Sequence, residues 1–565
     1  MSEFRFSPRA NRAHEIGWRP WDNAAFKEAK DQGKPVLLAI SGVWCHWCHV
    51  MDETSYSDPG IIATVNSRFV PVRVDTDMRP DVNERYNLGG WPTTAVLDGE
   101  GNLIAGGTYV PPKTMLPWLR KVASSYKGPG QRISTGDGDL AVDDVPGPSQ
   151  VSQVYDRVIS VTRASYDREH HGFGREPKFP MVFALELCLD DWLAHGSEES
   201  REILVNTLRA MASGGMYDHV EGGFFRYSTT RDWSIPHFEK MLDDNSALLG
   251  LLARTCRALG GADMEKWARD VLRYLEANFY TPGTGWAGTQ DADEEYYSRG
   301  LQERTSMNAP YIDRIIYVNW NAQMAKALLE ASWALDDQHM GSLALDTLDV
   351  LLKDAYLATG GMAHYLDGSP ELWGRLQDAA WMGWALCKAY QATGREAYLD
   401  ASKNLATFVL ERLRAPGGGF YDTAPDPEAP GALAIPHWSL DDNAIAGRWL
   451  KEIGQVTEET HYSEAAFSVV GPGIKLYERL GPHAAAFALL CTDLVRPWTV
   501  IDLTPGASRE LLNAALSAPG EQRVTRPDRP GLGTGGKAMA YVCLGQRCLE
   551  PTADPQTLSR QLLSE

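Results

Sequence analysis

Pro35-Val-Leu-Leu-Ala-Ile40, followed by Cys45-His46-Trp47-Cys48, is the stretch on which the N-terminal fold turns. The apolar run predicts a strand, and the amphipathic residues just after the cysteines predict a helix. Two cysteines separated by two residues at a strand-to-helix turn are the layout of a thiol–disulfide redox site. The first sulfur falls at the helix N-terminus, where free N–H groups and the macrodipole favour a thiolate. The second lies one turn on, within reach of a mixed disulfide formed on the first. Three other readings compete. Cys45-x-x-Cys48-His49 also fits attachment of a c-type haem, but no export signal precedes it. A zinc site could draw on Cys45, Cys48 and either His46 or His49, but no second pair of ligands stands nearby to complete four. Two buried structural cysteines are the plainest alternative, and Trp44, Trp47 and their polar neighbours argue against a wholly buried turn.

Gly89-Gly-Trp-Pro92-Thr-Thr94 lies about 45 residues further on and leads into Ala95-Val-Leu97. The expected order is strand 35–40, dithiol, helix, strand Phe69 to Asp75, short helix, Trp91-Pro92, strand, and a hairpin turn at Asp98-Gly-Glu-Gly101. This is the order of a thioredoxin-like domain. Such domains place a cis-proline against the dithiol, where the adjacent backbone can pair with a substrate chain. Pro92 is therefore expected to be cis, although few X–Pro bonds are.

Several motifs resemble those of the spermatogenesis-associated thioredoxin-like protein family. They are Trp44-Cys-His-Trp-Cys-His-Val-Met51, Arg68-Phe-Val-Pro-Val-Arg-Val-Asp75, Arg79-Pro-Asp-Val82, Gly90-Trp-Pro92 and Gly106-Gly-Thr-Tyr109. The resemblance covers nearly the whole chain. It implies an N-terminal thioredoxin-like domain joined to a helical barrel. The chain departs from the family in a shorter stretch between Tyr86 and Gly89 and an abbreviated start before His14.

The chain has 565 residues, 44% of them hydrophobic, which is ample for more than one core. Its formal charge is −20, from 54 basic and 74 acidic residues. That balance argues against nucleic acid and anionic membrane surfaces as partners. No apolar run is long enough to predict a membrane span, and Met1-Ser-Glu-Phe-Arg-Phe6 lacks the apolar core of a secretory signal. Eight cysteines in this length do not make a disulfide framework. The expectation is a cytoplasmic protein with no cofactor and no metal site.

The thioredoxin-like domain is expected over 1–126 and a Gly/Pro/Asp-rich linker over 127–150. From Val151 the pattern becomes helical. Twelve helices are expected up to about 495, at 151–166, 181–195, 199–213, 242–259, 263–279, 318–336, 341–357, 376–393, 396–413, 440–454, 461–479 and 483–495. An internal repeat organises them. Gly222-Gly-Phe224 leads to Pro236-His237 and Leu242-Asp-Asp-Asn245; Gly418-Gly-Phe420 leads to Pro436-His437 and Leu440-Asp-Asp-Asn443. Gly360-Gly-Met362 with Leu376-Gln-Asp-Ala379 is a weaker copy, and Val318-Asn-Trp-Asn321 starts another helix of the type. Six helical hairpins predict an all-α (α/α)6 barrel over 151–495, with an open solenoid as the alternative. Residues 496–565 predict a small α/β extension, with strands near Pro497–Leu503 and Ala538–Cys543 about a helix at Ser508–Ala515.

The repeat loops carry the barrel's candidate chemistry. Asp218, His219, Phe225, Trp233, His237, Glu239, Lys240, Asp244 and Asn245 cluster in one stretch; Asp291, Asp293, His437 and Asp442 are expected at the same barrel end. Barrels of this kind resemble six-hairpin glycosidases and N-acylglucosamine 2-epimerases. Paired acids or histidines over aromatic walls suit acid–base work on a sugar, with Trp233 or Phe225 as the stacking surface. Helix capping is the competing reading for Asp243, Asn245, Asp441 and Asn443. The stretch Ile435–Asn443 and the longer loop from Glu295 to Ile312 also depart from the family pattern.

Cys188, Cys256, Cys387 and Cys491 read as buried fillers. Cys543 and Cys548 flank a short turn, and neither a bridge between them nor exchange with Cys45 is the favoured expectation. The leading functional expectation is a thiol–disulfide oxidoreductase, with Cys45 as nucleophile, Cys48 as resolving thiol and Pro92 shaping the substrate edge. Its partners would be a protein disulfide or thiol and a sugar-like small molecule. The alternatives are a carbohydrate-active barrel, hydrolase or epimerase, with an accessory thioredoxin-like domain, and a non-enzymatic scaffold.

Overall fold

A computed structural model describes residues 4–128, 146–520, 522–529, 532, 538–545 and 547–563. It divides into two compact units. One contains the N-terminal region together with Thr289–Glu294 and Thr423–His437, and the other contains the remainder.

The first unit is built on four strands, β1 (Val36–Ser41), β2 (Val70–Asp75), β3 (Thr93–Leu97) and β4 (Leu103–Gly107), in the order β2-β1-β3-β4. β1 runs parallel to β2, with Val36 opposite Val70, and antiparallel to β3, with Val36 opposite Leu97. Every residue of β1 is buried, because helices cover both faces of the sheet. Leu37, Ala39 and Val96 meet α3 (Pro59–Arg68) and α5 (Pro112–Ser125) through Ile61, Val65, Met115 and Leu119. Val36, Leu38, Ile40, Val72 and Val74 meet α1 (Asn23–Gln32) and α4 (Pro80–Tyr86) through Phe26, Ala29, Val82 and Tyr86. The helix after the cysteines is α2 (His46–Glu53). This is the thioredoxin-like arrangement. The segment 423–437 joins it through Ala432 and Leu433, and the Ala432 N–H donates to the Tyr86 hydroxyl at 2.7 Å.

The second unit contains six helical hairpins. Its helices are α6 (Pro148–Ala164), α7 (Val182–His195), α8 (Glu198–Ser213), α9 (Leu242–Leu259), α10 (Ala262–Asn278), the short α11 (Glu294–Tyr297) and α12 (Leu301–Arg304), α13 (Val318–Ala334), α14 (Gln338–Asp354), α15 (Leu376–Thr393), α16 (Glu396–Arg412), α17 (Leu440–Thr457), α18 (Thr460–Phe467), α19 (Val470–Leu476) and α20 (Ala485–Val495). The chain breaks the single helix expected over 461–479 into α18 and α19 near Ser468, where the capping geometry of Thr460–Phe467 ends. The inner ring is α7, α9, α13, α15, α17 and α20, each packed on the next, and α20 returns to α7. The outer layer is α6, α8, α10, α14, α16 and α18. The ring closes, so the architecture is an (α/α)6 barrel and the solenoid alternative is excluded. The inner helices are apolar nearly all round: α15 buries Ala379, Met382, Trp384, Leu386 and Tyr390 on several sides.

The expected C-terminal extension exists but packs within this second unit. Its sheet orders 523–526, 499–503, 540–544 and 547–548, with α21 (Arg509–Leu516) and α22 (Pro555–Leu563) over Ile501, Leu503 and Val542. Cys543 and Cys548 face each other across adjacent strands and form a disulfide, contrary to the expectation that they would not pair. Most of the expected linker, 129–145, lies outside the described residues, and α6 already begins at Pro148. Among the described residues, no helix is long and apolar enough to cross a membrane.

Candidate functional site

Cys45 is the N-cap of α2, in an extended conformation, and its sulfur accepts a hydrogen bond from the Cys48 N–H at 3.2 Å. Cys45 and Cys48 are joined as a disulfide, 4% and 2% exposed. The turn that presents them is packed tightly. A side chain at Gly42 would meet the Trp44 ring at 2.8 Å, so only glycine fits. Trp44 donates to Asp77 at 2.6 Å and packs edge-on to Trp91, 5.6 Å away. Trp91 donates to Thr76 and Asn83, and its peptide bond to Pro92 is cis. Thr93 then opens β3 opposite Ile40, which sets Pro92 at the end of the strand that precedes the cysteines. Trp47 is 47% exposed and lies 5.2 Å from Tyr109. A protected disulfide thus sits beside an exposed aromatic surface.

Below the dithiol, Asp52 on α2 takes both ends of the Arg73 guanidinium, at 2.8 and 2.9 Å, with both side chains buried. Phe6 and Trp18 flank that guanidinium. His49 sits 2.9 Å from the Val43 carbonyl, so its Nε2 carries the proton, and burial pushes its pKa down. Asp291, in this same unit, is 3.6 Å from His49, beyond hydrogen-bond range. Asp293 and His437 also fall in this unit, and Asp442 is a nearly buried residue in the first turn of α17 in the other.

In the barrel, much of the expected polar cluster is structural. Lys240 is fully buried on Asp218 (2.9 Å) and the Gly222 carbonyl (2.8 Å). Arg304 bridges Asp218 and Glu221 at 2.8 and 2.9 Å. Asn245 binds the Phe224 backbone through both ends of its amide and the Met241 carbonyl at 2.9 Å. His219 is turned to the Gly214 carbonyl at 3.0 Å. The expected stacking surfaces are closed. Trp233 is 0% exposed, with its indole N–H on the His170 carbonyl and the Lys178 ammonium 5.4 Å from its ring. Phe225 is 3% exposed, held between Phe238 and Tyr297. Neither ring has a free face for a ligand, so both expectations are corrected.

Two groups remain chemically available. His237 holds Glu239 at 2.8 Å and stacks on Tyr227. Asp243 and Asp244 occupy the first turn of α9, whose N-cap is Met241, so neither carboxylate is the cap. Asp243 Oδ1 is buried without a hydrogen-bond partner among the described residues. Burial raises the pKa of both acids, and repulsion from Asp243 adds to the rise of Asp244, up to about 8. Capping, the competing reading for Asp243, does not hold there; the sequence signal is that two adjacent acids at a helix start repel each other.

The repeat is also wider than the sequence reading found. Asn321 holds the Trp286 backbone, and Asn443 the Phe420 backbone, as Asn245 holds Phe224. Tyr166 and Phe173 form a further hairpin bridge of the kind made by Tyr217 and Phe224. Buried Lys178 meets Asp167 at 2.7 Å, echoing Lys240 and Asp218. No group of three or more His, Cys, Asp or Glu among the described residues is arranged to hold a metal ion.

Fold and dithiol together define a thioredoxin-like domain fused to a six-hairpin barrel. A family profile described as "Thioredox_DsbH: Protein of unknown function, DUF255" matches residues 7–135. Spermatogenesis-associated protein 20 of Rattus norvegicus is 33% identical over 306 residues, 49% of this chain and 39% of that protein. An uncharacterized protein of Caenorhabditis elegans is 30% identical over 477 residues, 70% of this chain and 62% of that one. The chain is thus similar in sequence to the spermatogenesis-associated thioredoxin-like proteins. The match spans less than half of the first relative's length and somewhat under two thirds of the second's. A sugar epimerase from a ruminal bacterium superposes with a TM-score of 0.50 at 14% identity, covering 62% of this chain and 98% of that one. A D-mannose isomerase gives 0.50 at 10% identity, with the same coverage. At such identities the likeness is one of fold.

Proposed function

We propose that the chain is a thiol–disulfide oxidoreductase acting on protein substrates, joined to a barrel that binds a sugar-like small molecule. The Cys45–Cys48 pair at the start of α2, beside cis Pro92 and the exposed Trp47, carries the first half. In the reduced form, the Cys45 thiolate attacks a substrate disulfide. A Cys45–substrate bond forms, the substrate S–S bond breaks, and one substrate thiolate leaves. Cys48 then attacks the Cys45 sulfur, the second substrate thiolate leaves, and the Cys45–Cys48 disulfide remains. A dithiol reductant returns the pair to two thiols. Trp47 and Tyr109 offer an apolar contact for the substrate. Reduction of a disulfide-bonded protein such as insulin, with a dithiol as electron source, tests the reading. Turnover by the intact chain and none by Cys45→Ser is expected; equal turnover would sink it.

The second half rests on the acidic pair Asp243–Asp244 and the His237–Glu239 pair. A carboxyl that keeps its proton near neutrality can donate to a hydroxyl while its ionised neighbour accepts. Two solved structures of similar fold are a sugar epimerase and a D-mannose isomerase, which supports testing sugars first. A thermal-shift screen of sugars against the wild type and His237→Ala tests it. If no sugar stabilises the wild type, the scaffold reading takes its place. The reducing cytoplasm is the compartment that this chemistry suits.

A further inference from the structure

At the other ends of the inner helices, the barrel carries a partly open cavity. The C-terminal parts of α7, α9, α13 and α15 supply Leu193, Arg254, Trp333 and Lys388, and the C-terminal extension adds Ala515–Gly520, Arg523 and Thr525. The cavity is about 90 Å³, room for several water molecules or one compact organic group. One wall is apolar, from Leu189, Leu193, Trp333 and Leu516.

The charged part of the lining is mostly basic, with Glu330 among it, and its cations differ in what they hold. Arg254 pairs with Glu186 and Glu330, Lys388 with Glu452 at 2.8 Å, and Arg257 donates to the Ser517 carbonyl at 2.8 Å. Cations near helix C-termini often do no more than meet free carbonyls. Arg523 is different. It comes from a strand of the extension, and its Nε and Nη1 are buried with no hydrogen-bond partner among the described residues. A guanidinium has five donors in a planar fork and does not give up its charge at neutral pH. Leaving two of its nitrogens buried and unmet is costly unless an anion comes to them. Burial already draws its pKa down to about 10.

We infer that this cavity binds a compact organic anion, its carboxylate or phosphate on Arg523 and its apolar body against Leu193, Trp333 and Leu516. The site shares no residue with the dithiol turn or the acidic helix starts, and it does not depend on the proposed activity of either.

The test is thermal unfolding and tryptophan fluorescence of the full chain with inorganic phosphate, benzoate or neutral benzamide, at ionic strength held constant with sodium chloride. A saturable rise in melting temperature with phosphate or benzoate, none with benzamide, and at least a tenfold weaker response in Arg523→Gln is expected. A response to phosphate alone identifies a phosphate-type ligand; a response to benzoate alone identifies a carboxylate-type one. No saturable response to either anion, or an equal response in Arg523→Gln, overturns the inference. Should Arg523→Gln not fold, Ala518→Asp places a tethered carboxylate in the cavity wall. It is expected to raise the melting temperature and abolish the anion response, and retention of that response overturns the inference.

Discussion

Asn245 and Phe224 hold one another through both sides of a single amide. The Phe224 N–H donates to Asn245 Oδ1 at 2.7 Å, and Asn245 Nδ2 donates back to the Phe224 carbonyl at 2.9 Å. The contact ties a Gly-Gly-Phe hairpin to the inner helix that follows it, and Asn321 and Asn443 repeat it.

Asn245→Ala would strand a buried N–H and a buried carbonyl. A loss of ~2–5 kcal/mol is expected from two unmet backbone groups. Asn443→Ala should cost a similar amount, and urea denaturation measures both. Asn245→Asp keeps the acceptor and loses the donor, so it should also destabilise, and more so as the new acid ionises.

The buried pair Asp52–Arg73 lies under the dithiol helix. Asp52→Asn should cost ~3–5 kcal/mol by leaving the guanidinium without its counter-charge. The double variant Asp52→Leu with Arg73→Met should cost less than Asp52→Asn alone. Chemical denaturation of the three proteins gives the comparison.

Cys48→Ser should accumulate a mixed disulfide with a protein substrate, visible by mass, and Cys45→Ser should form none. Equal trapping by both would contradict the assigned roles.

The acidic pair gives a signed pH dependence. Asp244 has its folded-state pKa raised above the unfolded carboxylate value, so ionising it opposes folding. Its contribution is full below about pH 4, is lost as pH rises towards about 8, and stays lost above that. Asp244→Asn should therefore match the wild type near pH 4 and become progressively more stable relative to it up to pH 8. Urea midpoints across that range test the sign.

His237→Ala should lower the melting temperature, because the buried Glu239 carboxylate loses the ring it holds, and should also remove any sugar-dependent shift. A melt lowered by several degrees without loss of a ligand response would make His237 structural instead.

The helices were legible because apolar residues recur at helical spacing from Val154 to Leu490 and because Gly-Gly-Phe punctuates them. The dithiol turn was legible because spacing and flanking elements coincide at Cys45. What was not legible is which side of a residue faces protein. Trp233 and Phe225 sit among charges in the sequence, yet fold inward because Lys178, Lys240 and Arg304 bury their own charges on Asp167 and Asp218 behind them. Two hairpins were missed because their signals are His171-Gly-Phe173 and Gly285-Trp286, which lack the doubled glycine before an aromatic. The Cys543–Cys548 bridge depends on strand register, which a short spacing across a turn does not specify.

The return of α20 onto α6 and α7 has a consequence for how the barrel comes into being. A nascent chain emerging from the ribosome makes the first of these helices early and their partner last, so the inner face of α7 waits uncovered while five hairpins are synthesised. Closure is a long-range step of the kind that slows folding. A chain halted before Ala485 would display that apolar stripe to solvent, and such fragments should be the ones that chaperones capture and proteases clear.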